Sequence, residues 1–188
     1  MLVLASASPR RRQLLSQVGY IFDVIPAHIN EDVRPGEEPL PYVKRLAREK
    51  AEAIFASLAN PKAVVLGADT TVTLDGTILG KPESPADAAR ILSLLSGRTH
   101  QVITGVAVVA SGGTQVAAET TGVQFSALSQ KDIASYIATG EPMDKAGAYG
   151  IQGRAARWIP RIEGCYFNVV GLPLSLVSTL LASAEVHP

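Results

Sequence analysis

The stretch AVVLGADTTVTL constrains this chain more than any other. Ala63 to Leu66 is a continuous apolar run, and Gly67 to Leu74 carries on from it as a strand. It is the most buried-looking strand in the sequence, yet Asp69 follows VVLGA directly. A carboxylate in such a place costs several kcal/mol unless it is paired or bound to a metal. The structural reading of Asp69 is a cap or turn. The chain enters Thr70-Thr71-Val72 and not a turn, which favours an Asp69 that binds a cation or acts as a base.

A second anomaly lies just upstream. A long helix is expected from about Pro41 to Leu58. Val43, Leu46, Ala47, Lys50, Ala51, Ile54, Phe55 and Leu58 follow the spacing of one apolar face. Lys50 sits in the middle of that stripe. It either snorkels at the edge of the face or reaches into a cleft to meet an anion. By the stripe alone, methionine would suit position 50 as well as lysine. Arg45, Arg48 and Glu49 fall on the other side and read as solvated.

The opening ASASPRRRQLLSQVG places basic residues where they are locally unfavourable. Leu2 to Ala5 reads as a short buried strand, Ser8 as an N-cap, Pro9 as the first helical residue and Gly19 as the stop. A helix N-terminus repels cations and attracts phosphate. Ser6 and Ser8 add hydroxyl donors there, and Arg10 and Arg11 add charged ones, while Arg12 points elsewhere and reads as solvated. Lys81 follows the Asp75-Gly76 hairpin turn in Gly80-Lys81-Pro82, as a solvated loop lysine or a further anion contact. Glu31 stands in a polar loop, where a surface acid is the ordinary reading. Together, four cations and two acids suit a nucleoside triphosphate held with a divalent metal. No GxxxxGK[ST] phosphate loop is present.

The remaining pattern mixes strands and helices. Tyr20 to Ile25 reads as a strand and Asn30 to Pro39 as a polar loop. A helix starts at Ser84-Pro85 and ends near Ser96-Gly97. Val102 to Ala110 and Val116 to Ser126 pair as antiparallel strands around Gly112-Gly113. Ser129 caps a helix to about Ala138, and Glu141 to Gly153 forms a Gly-rich loop. Trp158 to Ile162 and Tyr166 to Val170 bracket a Glu163-Gly164 turn, and Pro173 starts a last helix. The expectation is an α/β fold with a mixed sheet, in one domain over residues 1–188. The formal net charge is zero, which argues against non-specific binding to nucleic acid or an anionic membrane. Cys165 is the only cysteine, so no intrachain disulfide forms. The start has no signal-peptide pattern and no apolar run approaches the ~20 residues of a membrane span. A cytoplasmic protein is expected.

On LASASPRR, Glu31, RLAREKA around Lys50, LGADT around Asp69, GKP at Lys81, SGRTHQVITGV from Ser96 and EPMDKAGAYGIQG from Glu141, the sequence resembles the Maf family of nucleoside triphosphate pyrophosphatases. The last stretch resembles the branch acting on dTTP and UTP. The alternatives are a 7-methyl-GTP-type pyrophosphatase and a nucleotide-binding regulator of septum formation without turnover. The resemblance implies a mixed, twisted sheet with flanking helices, two lobes around a deep nucleotide-binding cleft, Mg²⁺ or Mn²⁺, and a homodimer. It implies Asp69 as the catalytic proton acceptor and Glu31 as a catalytic carboxylate, both able to hold the metal. Ser6, Arg10, Arg11, Lys50 and Lys81 match the phosphate-binding set, and Arg10, Thr70 and Gln152 match positions linked to base selectivity. Ala7 departs from the glycine that many members carry, which is harmless if the backbone there has no positive φ.

Overall fold

The computed structural model describes residues 1–188. It contains a seven-stranded mixed sheet with helices, in the order β2-β1-β3-β5-β6-β7, with β4 on β3. The strands are β1 (Leu2–Leu4), β2 (Asp23–Val24), β3 (Val64–Leu74), β4 (Thr77–Leu79), β5 (Thr99–Ala110), β6 (Gly113–Gln124) and β7 (Arg161–Glu163). The helices are α1 (Pro9–Gln17), α2 (Pro39–Leu58), α3 (Pro85–Leu95), α4 (Gln130–Ile137), α5 (Tyr166–Val170) and α6 (Leu174–Ser183). β1 pairs in parallel with β2 and β3, whereas β3–β4 and β6–β7 are antiparallel. The chain divides into two compact units, and β3, β5 and β6 contribute residues to both.

The first unit comprises residues 1–70, 104–119 and 171–188. Its core joins Val3, Ala5 and Val65 of the sheet to Ala47, Ala51 and Ile54 of α2. This is the face that the apolar spacing of α2 marks. The small residues set how close the helix comes. A Cβ on Gly67 would lie 2.2 Å from the Ala47 carbonyl oxygen, and one on Gly105 would lie 2.3 Å from that of Val43. Glycine is intrinsically poor in strands, so these two positions are occupied for contact and not for strand stability.

The second unit comprises residues 71–103 and 120–170. Its core gathers Val72 and Leu79, the apolar face of α3 (Ile91, Leu92, Leu95), and the rings of Phe125, Tyr136 and Trp158. Ser84 caps α3 by accepting from the Asp87 amide, and Ser129 forms a capping box with Asp132 at α4. Asp75 and Gly76 have φ of 50° and 79°, as the hairpin turn between β3 and β4 requires.

The structure corrects four expectations. α2 begins at Pro39 and not Pro41, because prolines cost nothing in a first turn whose N–H groups have no partner. Tyr20 to Ile25 contributes only the two-residue edge strand β2, both of whose residues are exposed. Residues 166–170 form a short helix, because the φ of +124° at Gly164 turns the chain out of extended geometry after β7. Glu141 to Gly153 is built from 3₁₀ turns and is not an open loop. The α/β mixed sheet is as expected. Gly105→Ala should destabilise the fold by about 2 kcal/mol through overpacking against the α2 backbone, although alanine suits a strand better. Urea unfolding followed by circular dichroism measures this, and an unchanged midpoint would mean that α2 can shift away.

Candidate functional site

Three acidic and basic side chains meet in the first unit. Lys50 Nζ lies 2.8 Å from Asp69 Oδ1 and 2.8 Å from Glu31 Oε1. Lys50 and Asp69 are buried, at 7% and 8% exposure, whereas the Glu31 side chain is half exposed. The anomalous lysine of the stripe and the anomalous carboxylate of the strand are therefore partners. β3 carries Asp69 inward beside the apolar residues of its own strand, and α2 brings Lys50 to it from the facing layer. Burial raises the Asp69 pKa above its ordinary 3.8, while the positive charges of Lys50 and Arg11 oppose that rise and the negative charge of Glu31 adds to it.

Beside this triad, the β1–α1 turn is closed by an arginine. Arg11 Nε donates to the Gly171 carbonyl at 2.8 Å, and Nη1 donates to the Ala68 carbonyl at 2.9 Å and to Ser6 Oγ at 3.2 Å. Nη2 donates to Thr70 Oγ1 at 2.9 Å. These four bonds leave one Nη2 hydrogen of the five guanidinium N–H donors for a ligand. Burial draws the Arg11 pKa down, opposed by the negative charge of Asp69. The Thr70 hydroxyl also shares a hydrogen bond of 2.8 Å with Thr104 Oγ1. Ser8 caps α1, as its position before Pro9 suggests, and Arg12 is exposed. Arg10 is half-buried on the same turn, close enough for its charge to bear on Arg11. Ala7 is exposed and its φ is not positive, so the departure from glycine carries no strain.

The second unit holds the other two sequence candidates. Lys81 is exposed in the loop after β4, and Gln152 is exposed between Gly150 and Gly153. The Gly147 amide donates to the Gly80 carbonyl at 3.0 Å, which ties the two loops together. Sequence reading found nothing at Glu141, yet its carboxylate organises the Gln152 loop. Oε1 accepts from Tyr136 Oη at 2.9 Å and from the Arg154 amide at 3.1 Å. A Cβ on Gly153 would displace that carboxylate from its present position. Tyr149 Oη and His100 Nε2, 2.7 Å apart, hold the loop from within the core, where burial pushes the His100 pKa down to about 4.

Arg45 corrects the sequence reading most sharply. It is not solvated but 8% exposed, because the loop before α2 folds back over it. Its Nε and Nη2 donate to Glu37 Oε1 and Oε2 at 2.6 and 2.7 Å, and Nη1 donates to Glu49 Oε2 at 3.1 Å. The Arg45 guanidinium holds the Glu37 carboxyl at a pKa of about 2. Apolar periodicity cannot reveal such a residue, since it is buried by charge pairing.

The metal expectation is compatible with this donor set. Nowhere do three or more His, Cys, Asp or Glu side chains form a metal cage. Two carboxylates that converge on one cationic group supply oxygen donors, the type Mg²⁺ and Mn²⁺ prefer. Mg²⁺ takes its remaining ligands from water and substrate phosphates. Glu31 and Asp69 fit that role.

A mixed α/β sheet presenting a buried carboxylate–lysine pair beside a helix N-terminus defines a protein built to handle polyanions. A family described as Maf-like protein matches residues 1–184, and the chain belongs to that family. A protein of Moorella thermoacetica named dTTP/UTP pyrophosphatase is 56% identical over 96% of this chain and 93% of its own length. Proteins of the same name from Koribacter versatilis and Bacillus pumilus are 51% and 46% identical, over 98% and 100% of this chain and 95% and 98% of their own.

Lys50→Met reverses what the stripe suggests. Asp69 would lose its nearest cation while still buried, so the fold should lose about 3 kcal/mol at neutral pH. The folded-state pKa of Asp69 would then lie still further above its unfolded value. Stability is lost as pH rises through such a raised pKa, so the variant should regain Tm on acidification. Melting curves across pH decide this, and a variant as stable as the parent at neutral pH would show that water already satisfies Asp69.

Proposed function

We propose that this protein hydrolyses dTTP and UTP to the nucleoside monophosphate and pyrophosphate. The observation that carries the reading is the buried Asp69 held against Lys50 and Glu31. Binding a nucleotide needs cations, whereas a buried, raised carboxylate among them suits a base that takes a proton. The names of relatives at about half identity over nearly the whole chain support the substrate class.

In this reading Asp69 accepts a proton from water, whose oxygen forms a bond to the α phosphorus. The bond from that phosphorus to the bridging oxygen breaks, and pyrophosphate leaves with the electron pair. Lys50 sets the charge state of Asp69 and neutralises phosphate oxygens. The α1 N-terminus, Ser6 and Arg10 receive phosphate oxygens, with the remaining Arg11 hydrogen and Lys81 adding to them. A divalent cation, when bound through Glu31 and Asp69, supplies further neutralisation of phosphate charge. Gln152 suits the thymine and uracil edge, since one amide accepts from N3–H and donates to O4. Arg10 and Thr70 complete the proposed selectivity set. No helix is long and apolar enough to cross a membrane. We infer a cytoplasmic, homodimeric enzyme that clears surplus or non-standard nucleotides.

Two experiments test this. Turnover of dTTP in ¹⁸O-water should place label in thymidine monophosphate, and label in pyrophosphate or orthophosphate would overturn attack at the α phosphorus. Asp69→Asn should lower kcat by a factor of about 10² or more while the fold persists. Pyrophosphate release together with a melting curve measures both, and near-parental turnover would make Asp69 structural.

A further inference from the structure

The loop between β2 and α2 carries Glu31, but it has no regular structure of its own over residues 25–38. Half exposed on such a loop, the Glu31 carboxylate needs something else to keep it at Lys50. Side chains of α2 supply this. Tyr42 Oη donates to the Glu31 carbonyl at 2.9 Å, and Arg45 Nη2 donates to the next carbonyl, that of Asp32, at 3.0 Å. The fork of Arg45 also grips both oxygens of Glu37 further along the loop. Arg34 closes the circuit, with its amide on Glu37 Oε2 at 3.0 Å and its Nη2 on Glu49 Oε1 at 2.9 Å. Tyr42, Arg45, Glu49 and Lys50 lie on neighbouring turns of one helix. The element that presents the ammonium therefore also fastens two successive peptides, Glu31–Asp32 and Asp32–Val33.

We propose that Arg45 is a positioning residue for the reaction: with Tyr42 it locks the Glu31 loop onto α2, so that the Glu31 carboxylate stands at Lys50 beside Asp69. It touches none of the three reacting side chains in doing so. A bidentate guanidinium–carboxylate pair fixes one geometry, which a lysine at 45 could not reproduce. The proposal rests on the reading that Lys50, Asp69 and Glu31 form the reacting centre.

A double-mutant cycle tests it, with kcat and KM for dTTP measured for the parent, Glu31→Gln, Arg45→Met and the double variant. Arg45→Met should lower kcat by about 10- to 100-fold in the parent, as loss of a supporting partner does at such sites. In the Glu31→Gln background the same change should cost less than about 3-fold, because its effect runs through a carboxylate already lost. KM for the nucleotide should move little. Losses that multiply fully in the double variant would overturn the proposal, since Arg45 would then support the fold and not Glu31. An unaltered Glu31→Gln enzyme would overturn the reading of the centre itself, and the proposal with it. If Arg45→Met does not fold, Tyr42→Phe removes only the hydroxyl on the Glu31 carbonyl. It should show the same coupling at smaller size, with faster amide exchange over residues 30–38 and unchanged protection in α2. Tyr42→Phe without coupling to Glu31 would sink the idea.

Discussion

Lys50 and Asp69 are out of water together, and the first unit is arranged around that fact. A buried charge without a partner costs several kcal/mol, whereas a close pair offsets much of the cost. The pair exists only where α2 and β3 hold one spacing. Gly67 and Gly105 set this spacing, because neither leaves room for a Cβ beneath the α2 backbone. The third partner, Glu31, adds a negative charge that one ammonium cannot fully balance. The guanidinium of Arg11 adds a second positive charge, which bears on Asp69 and Glu31 alike.

The arginines and lysines of this protein divide the work by geometry. Arg11 and Arg45 each spread their donors over several oxygens of the chain itself, which a planar fork does well. Arg11 ties β1, β3 and the segment before α6 into one turn, and Arg45 ties the Glu31 loop to α2. Lys50 offers a single compact charge, which two carboxylates share.

The second unit reaches order by a different route. Its Gly-rich segment gathers around one carboxylate, that of Glu141. Glycine at 153 leaves the carboxylate its place, since a side chain there would push it aside. Tyr136 serves twice, donating to Glu141 and accepting from the Gly150 amide at 3.2 Å. Gln152 is thereby presented from a fixed frame, although its own side chain is exposed.

The sequence by itself determined the elements whose signals are local. Ser8-Pro9, Ser84-Pro85 and Ser129 mark helix starts through hydrogen bonds to amides only a few residues away, and Asp75-Gly76 marks a turn by its own backbone freedom. It also determined that Asp69 and Lys50 were out of place, since each interrupts an apolar pattern. What it could not determine was that they answer each other, 19 residues apart. Glu31 entered the candidate set only by its charge and by resemblance, while Arg45 read as solvated and Glu141 as part of a loose loop, because nothing in their own neighbourhoods shows which groups meet them. Tertiary structure decided these three. A charged residue finds its partner when distant groups arrive beside it, and that arrival depends on the packing of whole elements.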